Sequence, residues 1–261
     1  MALTLLFAAV SGGLTALLCV GGMAYWWILP VWVGLYVAVA LVCVVAMILA
    51  LYLFLPQCAD SPRPLRFAQR VAKAIIDWVL LMLGMRIKVS GTDTLPDAPY
   101  LLVCNHRSAF DPLCTIPQVS APLVFVCKPG VLRIPVIGSV MERLNFLAID
   151  RENPRNAVTT IKRSAQLITE AGLSVGIYPE GTRCKTDSLL PFHAGSFKIA
   201  KMAGCPVAVA TIRYEKRGLL PWNKRVHLHV VDVMDEAYVA ENGTAAMAER
   251  AEAAIRKDLG L

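Results

Sequence analysis

His106 and Asp111 stand in the segment Asn105-His106-Arg107-Ser108-Ala109-Phe110-Asp111-Pro112, directly after an apolar run, 100–104, that reads as a β-strand. An imidazole with one nitrogen held by a carboxylate can take a proton from a hydroxyl with the other, so this pair has the makings of a general base. Strand exits are where α/β sheets place their ligands. On a continuous helix residues five apart point about 140° away from each other, so the pairing requires a turn, and Pro112 signals one. The alternative makes Asp111 the N-cap of a helix that begins at Pro112. A second polar cluster, Tyr178-Pro179-Glu180-Gly181-Thr182-Arg183, follows another strand-like run, 174–178. Arg183 and backbone N–H groups around Gly181 could hold a phosphate monoester, and Glu180 could orient an acceptor hydroxyl or the arginine. As plain structure the same run is a turn, with Gly181 at positive φ and Arg183 solvated. Basic Lys185, His193 and Lys198 follow closely, which favours the site.

The elements that must position these residues begin near Arg86. From there short β-branched runs alternate with helical stretches, the pattern of an α/β domain on a covered, mostly parallel or mixed sheet. The strand candidates are RIKV, YLLVC, LVFVC, NFLAI, SVGIY, VAVATI and VHLHVV. Helices are expected over residues 154–171, 195–203 and 244–259.

The preceding chain is of another kind. The sequence has 261 residues, 56% of them hydrophobic, and its first charged residue is Asp60; the mean hydropathy is +0.56. Residues 2–20 and 26–55 are each apolar enough and long enough to cross roughly 30 Å of hydrocarbon, so residues 1–60 read as a two-helix transmembrane hairpin. A secretory signal peptide is the rival for the first run, but it lacks a basic leading region and a small-residue cleavage site. Arg63, Arg66, Arg70 and Lys73 follow the second run, whereas residues 21–24 between the runs carry no charge, which puts the later domain on the cytoplasmic face. Trp26, Trp27, Trp32 and Tyr36 suit an interfacial aromatic belt. Residues 61–85 read as an amphipathic helix, with Phe67, Val71, Ile75, Trp78 and Met82 on one side and Arg66, Arg70, Lys73 and Asp77 on the other. Its basic residues are expected to face lipid phosphates, its stripe the domain or the head-group plane. The net charge of +7 lies wholly after residue 59 and implies an anionic partner. Eight cysteines (Cys19, Cys43, Cys58, Cys104, Cys114, Cys127, Cys184 and Cys205) show neither paired spacing nor a His-spaced cluster, so no zinc or redox motif is indicated.

The two motifs, NHRSAFD and YPEGTR, resemble the signature of the glycerolipid acyltransferase family that includes the 1-acyl-sn-glycerol-3-phosphate acyltransferases. The resemblance runs from about Leu65 to about Val231. It implies that His106 and Asp111 are the charge-relay pair of an HX4D motif and that Glu180, Gly181, Thr182 and Arg183 help bind the phosphorylated acceptor. A middle block, from Lys128-Pro129 through Ile134-Pro135 and Gly138 to Asp150-Arg151, matches as well. It adds Lys128 and Arg151 to the expected substrate-binding residues. Leu190-Pro191-Phe192 and Gly195 extend the likeness after the second motif. One block departs from the pattern: Cys205-Pro206-Val207-Ala208-Val209 keeps the first of two usual prolines, a change that bears on substrate preference rather than chemistry.

The resemblance implies transfer of an acyl chain from acyl-CoA or acyl carrier protein to lysophosphatidate in a ternary complex, forming phosphatidate for phospholipid biosynthesis. Membrane lipids are the expected surroundings, the cell membrane the expected location, and no metal or bound cofactor is expected. Oxyanion donors are sought among the backbone amides of residues 105–108. Other acceptors, such as a lyso-ornithine lipid or glycerol 3-phosphate, are the nearest alternatives. A non-catalytic module that merely holds anionic lipid is the alternative of a different class, and retention of both His106 and Asp111 argues against it. A thiol nucleophile at Cys104 or Cys114 is disfavoured because Cys104 ends an apolar strand. Nucleic-acid binding is disfavoured because the basic residues are dispersed and no reader motif is present. A metal-dependent hydrolase would need more ligands than His106 and Asp111, and His193, His227 and His229 are distant in sequence.

Overall fold

The structure is a computed structural model that describes residues 2–20, 28–54, 62–82, 84–119, 122–150, 153–184, 186, 188–216 and 224–261. Residues 21–24, Trp26, Trp27, Arg151 and Lys185, all invoked above, lie outside the described residues. In chain order come α1 (Ala2–Val20), α2 (Ile28–Phe54), α3 (Pro62–Met82), β1 (Arg86–Ser90), β2 (Leu101–Cys104), α4 (Asp111–Thr115), β3 (Leu123–Cys127), α5 (Pro129–Leu132), α6 (Ile137–Arg143), β4 (Leu147–Ala148), α7 (Pro154–Thr169), β5 (Ser174–Ile177), α8 (Lys198–Ala203), β6 (Val207–Lys216), β7 (Lys224–Met234), α9 (Glu236–Glu241) and α10 (Thr244–Leu259).

All seven expected strands form one sheet in the order β1-β7-β6-β2-β5-β3-β4. Neighbours run parallel except β6 and β7, which pair antiparallel with a bulge between Val209 and Ala210. The four residues of β2, Leu-Leu-Val-Cys, are buried on both sides, as a central parallel strand requires. Alternation sends Leu101 and Val103 into a core shared with α6, α7, α8 and α10. Leu102 and Cys104 point to the opposite face, where Leu80 of α3 and Cys114 of α4 cover them. The register Val103↔Ile177 aligns the exits of β2 and β5. The two polar clusters therefore leave the sheet side by side. The parallel pairing of β3 with β5 brings Lys128 to the same edge.

Of the expected helices, 154–171 and 244–259 correspond to α7 and α10, whereas 195–203 divides into a 3-10 turn over Ala194–Phe197 followed by α8. Before the sheet, α2 contains an apolar stretch, Ile28–Ala50, long enough to cross a membrane and with only 11% of its window buried, unlike a core helix. Within α1, Leu5–Leu17 is likewise apolar. α1, α2 and α3 meet where Phe7 packs edge-on against Tyr36 and Trp78, while the Trp78 indole N–H donates to the Tyr36 hydroxyl at 3.2 Å.

The expected apolar stripe of α3 divides between a packed part and an exposed part. Ala68, Ile75 and Leu80 are buried, but Phe67 and Met82 are exposed. The helix serves two partners, the sheet through its middle and the α1–α2 pair through Trp78, so no single stripe describes it. Lys73 is exposed, and its ammonium donates to the carbonyl of Pro117.

One glycine in the sheet sets the position of an aromatic column. A Cβ on Gly176 would lie 2.4 Å from the Phe125 ring, which therefore covers β5 at that point. Gly176→Ala is expected to displace Phe125 and destabilise the protein by about 1–3 kcal/mol, the usual cost of overpacking. Thermal unfolding in detergent measures it, and Phe125→Leu in the same chain should recover part of the loss.

Candidate active site

The imidazole of His106 and the carboxylate of Asp111 meet, with Nδ1 2.8 Å from Oδ2. The turn between them is built by the carboxylate itself. Asp111 Oδ2 also accepts the backbone N–H groups of Arg107 at 2.7 Å and Ser108 at 2.9 Å. Asp111 lies inside the first turn of α4, and the N-cap position belongs to Phe110, which makes no side-chain cap. Its carboxylate thus faces back toward His106, and the capping alternative does not hold. Asp111 is fully buried. Its second oxygen, Oδ1, accepts the hydroxyl of Tyr214 on β6 at 2.6 Å. Burial and the neighbouring carboxylate push the Tyr214 phenol well up, which keeps it a donor.

With Nδ1 donating to Asp111, Nε2 is left as the basic nitrogen. His106 lines a cavity of about 510 Å³ whose walls come mainly from apolar side chains, among them Ile48 of α2, Ile75 and Ile76 of α3, and Val131, Ile137 and Val140 near the middle block. Gly181, Thr182, Arg183 and Lys128 line the same cavity and supply its polar groups. The imidazole stacks on Tyr178 with centroids 4.2 Å apart, and Tyr178 stacks on Phe125 at 5.3 Å.

The second motif clamps the first. Glu180 is 3% exposed. One carboxylate oxygen accepts the backbone N–H of His106 at 2.6 Å and the other that of Leu190 at 3.0 Å. The backbone N–H of Cys184 donates to the carbonyl of His106 at 2.9 Å. Glu180 therefore joins two loops within the protein rather than presenting a free carboxylate. Gly181 has φ 77°, the left-handed conformation expected of its turn. Arg183 and Thr182 are exposed, as is Lys128.

One expectation fails on geometry, that of the oxyanion donors, while the exclusion of a thiol nucleophile agrees with the structure. The amides of His106, Arg107 and Ser108 are committed to Glu180 and Asp111, so they are not oxyanion donors. The thiols near His106 are not nucleophiles: burial pushes Cys104 well up and Cys114 up to about 12, keeping both protonated. His227 and His229 share one face of β7 opposite Arg213 and Thr211, and His229 pairs with Asp258 at 2.8 Å, away from the cavity lining.

Tyr214, which lies outside both motifs, and Asn105, which opens the first motif but whose side chain was given no role, are positioning residues. The buried amide of Asn105 accepts the N–H of Ile212 at 2.8 Å and donates to its carbonyl at 3.1 Å. It thus continues the β2–β6 ladder beyond Cys104 and holds Tyr214, two residues further, beside Asp111.

The model of the Acyltransferase family matches residues 86–213. A chloroplastic 1-acyl-sn-glycerol-3-phosphate acyltransferase of Brassica napus is 37% identical over 126 residues, 48% of this chain and 36% of the relative's length. That of Haemophilus influenzae is 32% identical over 146 residues, 54% of this chain and 61% of the relative. That of Borreliella burgdorferi is 28% identical over 175 residues, 65% and 70% of the two chains. The likeness to this acyltransferase family covers residues 86–213, 128 of the 261 residues and just under half of the chain. It spans about a third of the length of the plant relative, so the likeness concerns the acyltransferase domain. The fold agrees: the crystal structure of the 1-acyl-sn-glycerophosphate acyltransferase PlsC from Thermotoga maritima superposes with a TM-score of 0.63 at 17% identity, covering 84% of this chain and 95% of that one.

Two measurements test this site. Tyr214→Phe leaves a buried carboxylate oxygen without its donor and is expected to destabilise the protein by about 1.5–3 kcal/mol in thermal unfolding. Burial raises the Glu180 carboxyl despite the two N–H donors. A folded-state pKa above the unfolded one gives stability that is full below the ordinary glutamate pKa and is lost as pH rises through the folded value. Glu180→Gln removes that titration. The melting temperature of the variant relative to wild type should therefore rise as pH is raised above the ordinary glutamate range, and a gap independent of pH would contradict it.

Proposed function

We propose that this chain transfers an acyl group from a thioester, acyl-CoA or acyl carrier protein, to the free hydroxyl of 1-acylglycerol 3-phosphate, forming phosphatidate. The observation that carries the reading is the 2.8 Å contact of His106 with a buried carboxylate at the wall of a long apolar cavity. His106 Nε2 removes the hydroxyl proton, and the oxygen attacks the thioester carbonyl. The C–S bond breaks as the tetrahedral intermediate collapses, and His106 returns the proton to the departing thiolate. Asp111 holds the tautomer and stabilises the imidazolium. The apolar walls accommodate an acyl chain, while Arg183, Thr182 and Lys128, with Arg151 as a further candidate, receive the acceptor's phosphate. The names of the relatives from Brassica napus, Haemophilus influenzae and Borreliella burgdorferi support this acceptor over a lyso-ornithine lipid or glycerol 3-phosphate.

In the same reading α1 and α2 embed in the bilayer as an integral anchor, α3 links them to the domain, and residues 86–261 work at the cytoplasmic surface. A lysophospholipid keeps its tail in the leaflet, so a site walled partly by α2 and α3 meets the acceptor where it resides. The donor arrives from water.

Detergent-purified protein supplied with labelled acyl-CoA and lysophosphatidate should form phosphatidate, and His106→Ala should lower turnover by about 10²–10⁴-fold with the protein still folded at the assay temperature, as a melting curve of the same preparation checks. Turnover surviving the substitution removes His106 as the base. Turnover of another lyso-lipid alone keeps the mechanism and changes the acceptor.

A further inference from the structure

The segment between α5 and α6 combines backbone strain with apolar exposure. Val136 has φ 63° and ψ −55°, and the N–H of Ile137 donates to the carbonyl of Pro135 at 2.7 Å. This is a γ-turn of the positive-φ form, rare and strained, and unfavourable for a β-branched residue above all. The turn does not serve to bury valine. Val136 is 42% exposed, with Ile134 at 44% and Ile137 at 46% beside it. A strained backbone that holds three large aliphatic side chains outward calls for a surface that takes them up.

The surroundings identify that surface. α6, which begins at the turn, packs on α2. At its C-terminal end the Arg143 guanidinium stacks over the Tyr52 ring, 4.4 Å from the centroid. At its N-terminal end Ile137 lines the cavity together with Ile48. Ile48 lies six residues before the end of α2, about 9 Å along its axis. Any placement that immerses the apolar stretch of α2 in lipid therefore carries the γ-turn to the membrane, with Arg133 and Arg143 at the level of head groups.

We infer that the Ile134–Ile137 turn is a wedge that inserts into the acyl region of the leaflet and forms the cavity rim through which a membrane-held lysophospholipid reaches His106. Val131 and Ile137 line the cavity, whereas Ile134 and Val136 do not. The latter two side chains are the lipid-facing part of the rim. The inference rests on the reading of α2 as a membrane anchor.

The full chain is reconstituted in phosphatidylglycerol vesicles, and Val136→Asp, Ile134→Asp and Val136→Leu are compared with Val158→Asp, an exposed apolar position on α7. Each protein is assayed with long-chain lysophosphatidate in the vesicles and with a short-chain, water-soluble lysophosphatidate in detergent. Both turn aspartates are expected to raise the apparent KM for the long-chain acceptor at least tenfold, with detergent activity on the short-chain acceptor within about twofold of wild type. Val136→Leu and Val158→Asp should behave as wild type in both. Equal vesicle KM values for the turn aspartates and Val158→Asp overturn the wedge, as does an equal loss in detergent, which marks a packing role. Alkaline carbonate extraction separates the two readings: wild-type protein released from the vesicles refutes the anchor, whereas retained protein with unaffected turn variants refutes the wedge alone.

Discussion

A single buried carboxylate organises the active end of the sheet. Asp111 has no solvent to satisfy it, so each lone pair must be answered by the protein. Two backbone N–H groups fold the loop after β2, the imidazole supplies a third donor, and Tyr214 closes the shell from β6. The same contacts that neutralise the cost of burial also fix the histidine tautomer and aim Nε2. Catalytic geometry here is a by-product of satisfying a charge.

The second motif works in the same currency. Glu180 is also buried, and its oxygens bind the His106 and Leu190 amides, so the loop after β5 cannot shift without dragging the loop after β2. Beneath them Phe125, Tyr178 and His106 form a stack that rests on Gly176, where any side chain would occupy the ring's place. The imidazole is thus held at its backbone, at one ring nitrogen and on one ring face. One nitrogen edge is left for chemistry.

Much of this was legible in the residues. Seven runs gave seven strands: β2, β3 and β5, parallel and buried on both faces, leave an uninterrupted apolar signature, whereas β1 shows through alternation. The two polar clusters were recognisable because each follows such a run directly. What periodicity could not reveal was the partner from far along the chain. Tyr214 stands 103 residues from Asp111 and Asn105 stands 107 from Ile212, and nothing local marks either tyrosine or asparagine as a ligand of the loop. Glu180 was expected near substrate for the same reason: its exposure depends on neighbours that only the folded chain supplies. Along α3 the apolar stripe was legible but its surroundings were not: Ile75 is buried whereas Phe67 and Met82 are exposed, since one helix serves both a sheet and a pair of apolar helices.

The cavity wall has a consequence for how the two parts of the chain depend on each other. Ile48 belongs to α2, and Gln69, Ala72, Ile75 and Ile76 belong to α3, yet all five border the space that begins at His106. α2 and α3 therefore roof this cavity, and under the proposed anchoring they are its tether as well. On that proposal, exchanging them for an unrelated anchor of equal length and apolarity would keep the domain at the bilayer but leave the cavity an open trough, so attachment and enclosure reside in the same two helices.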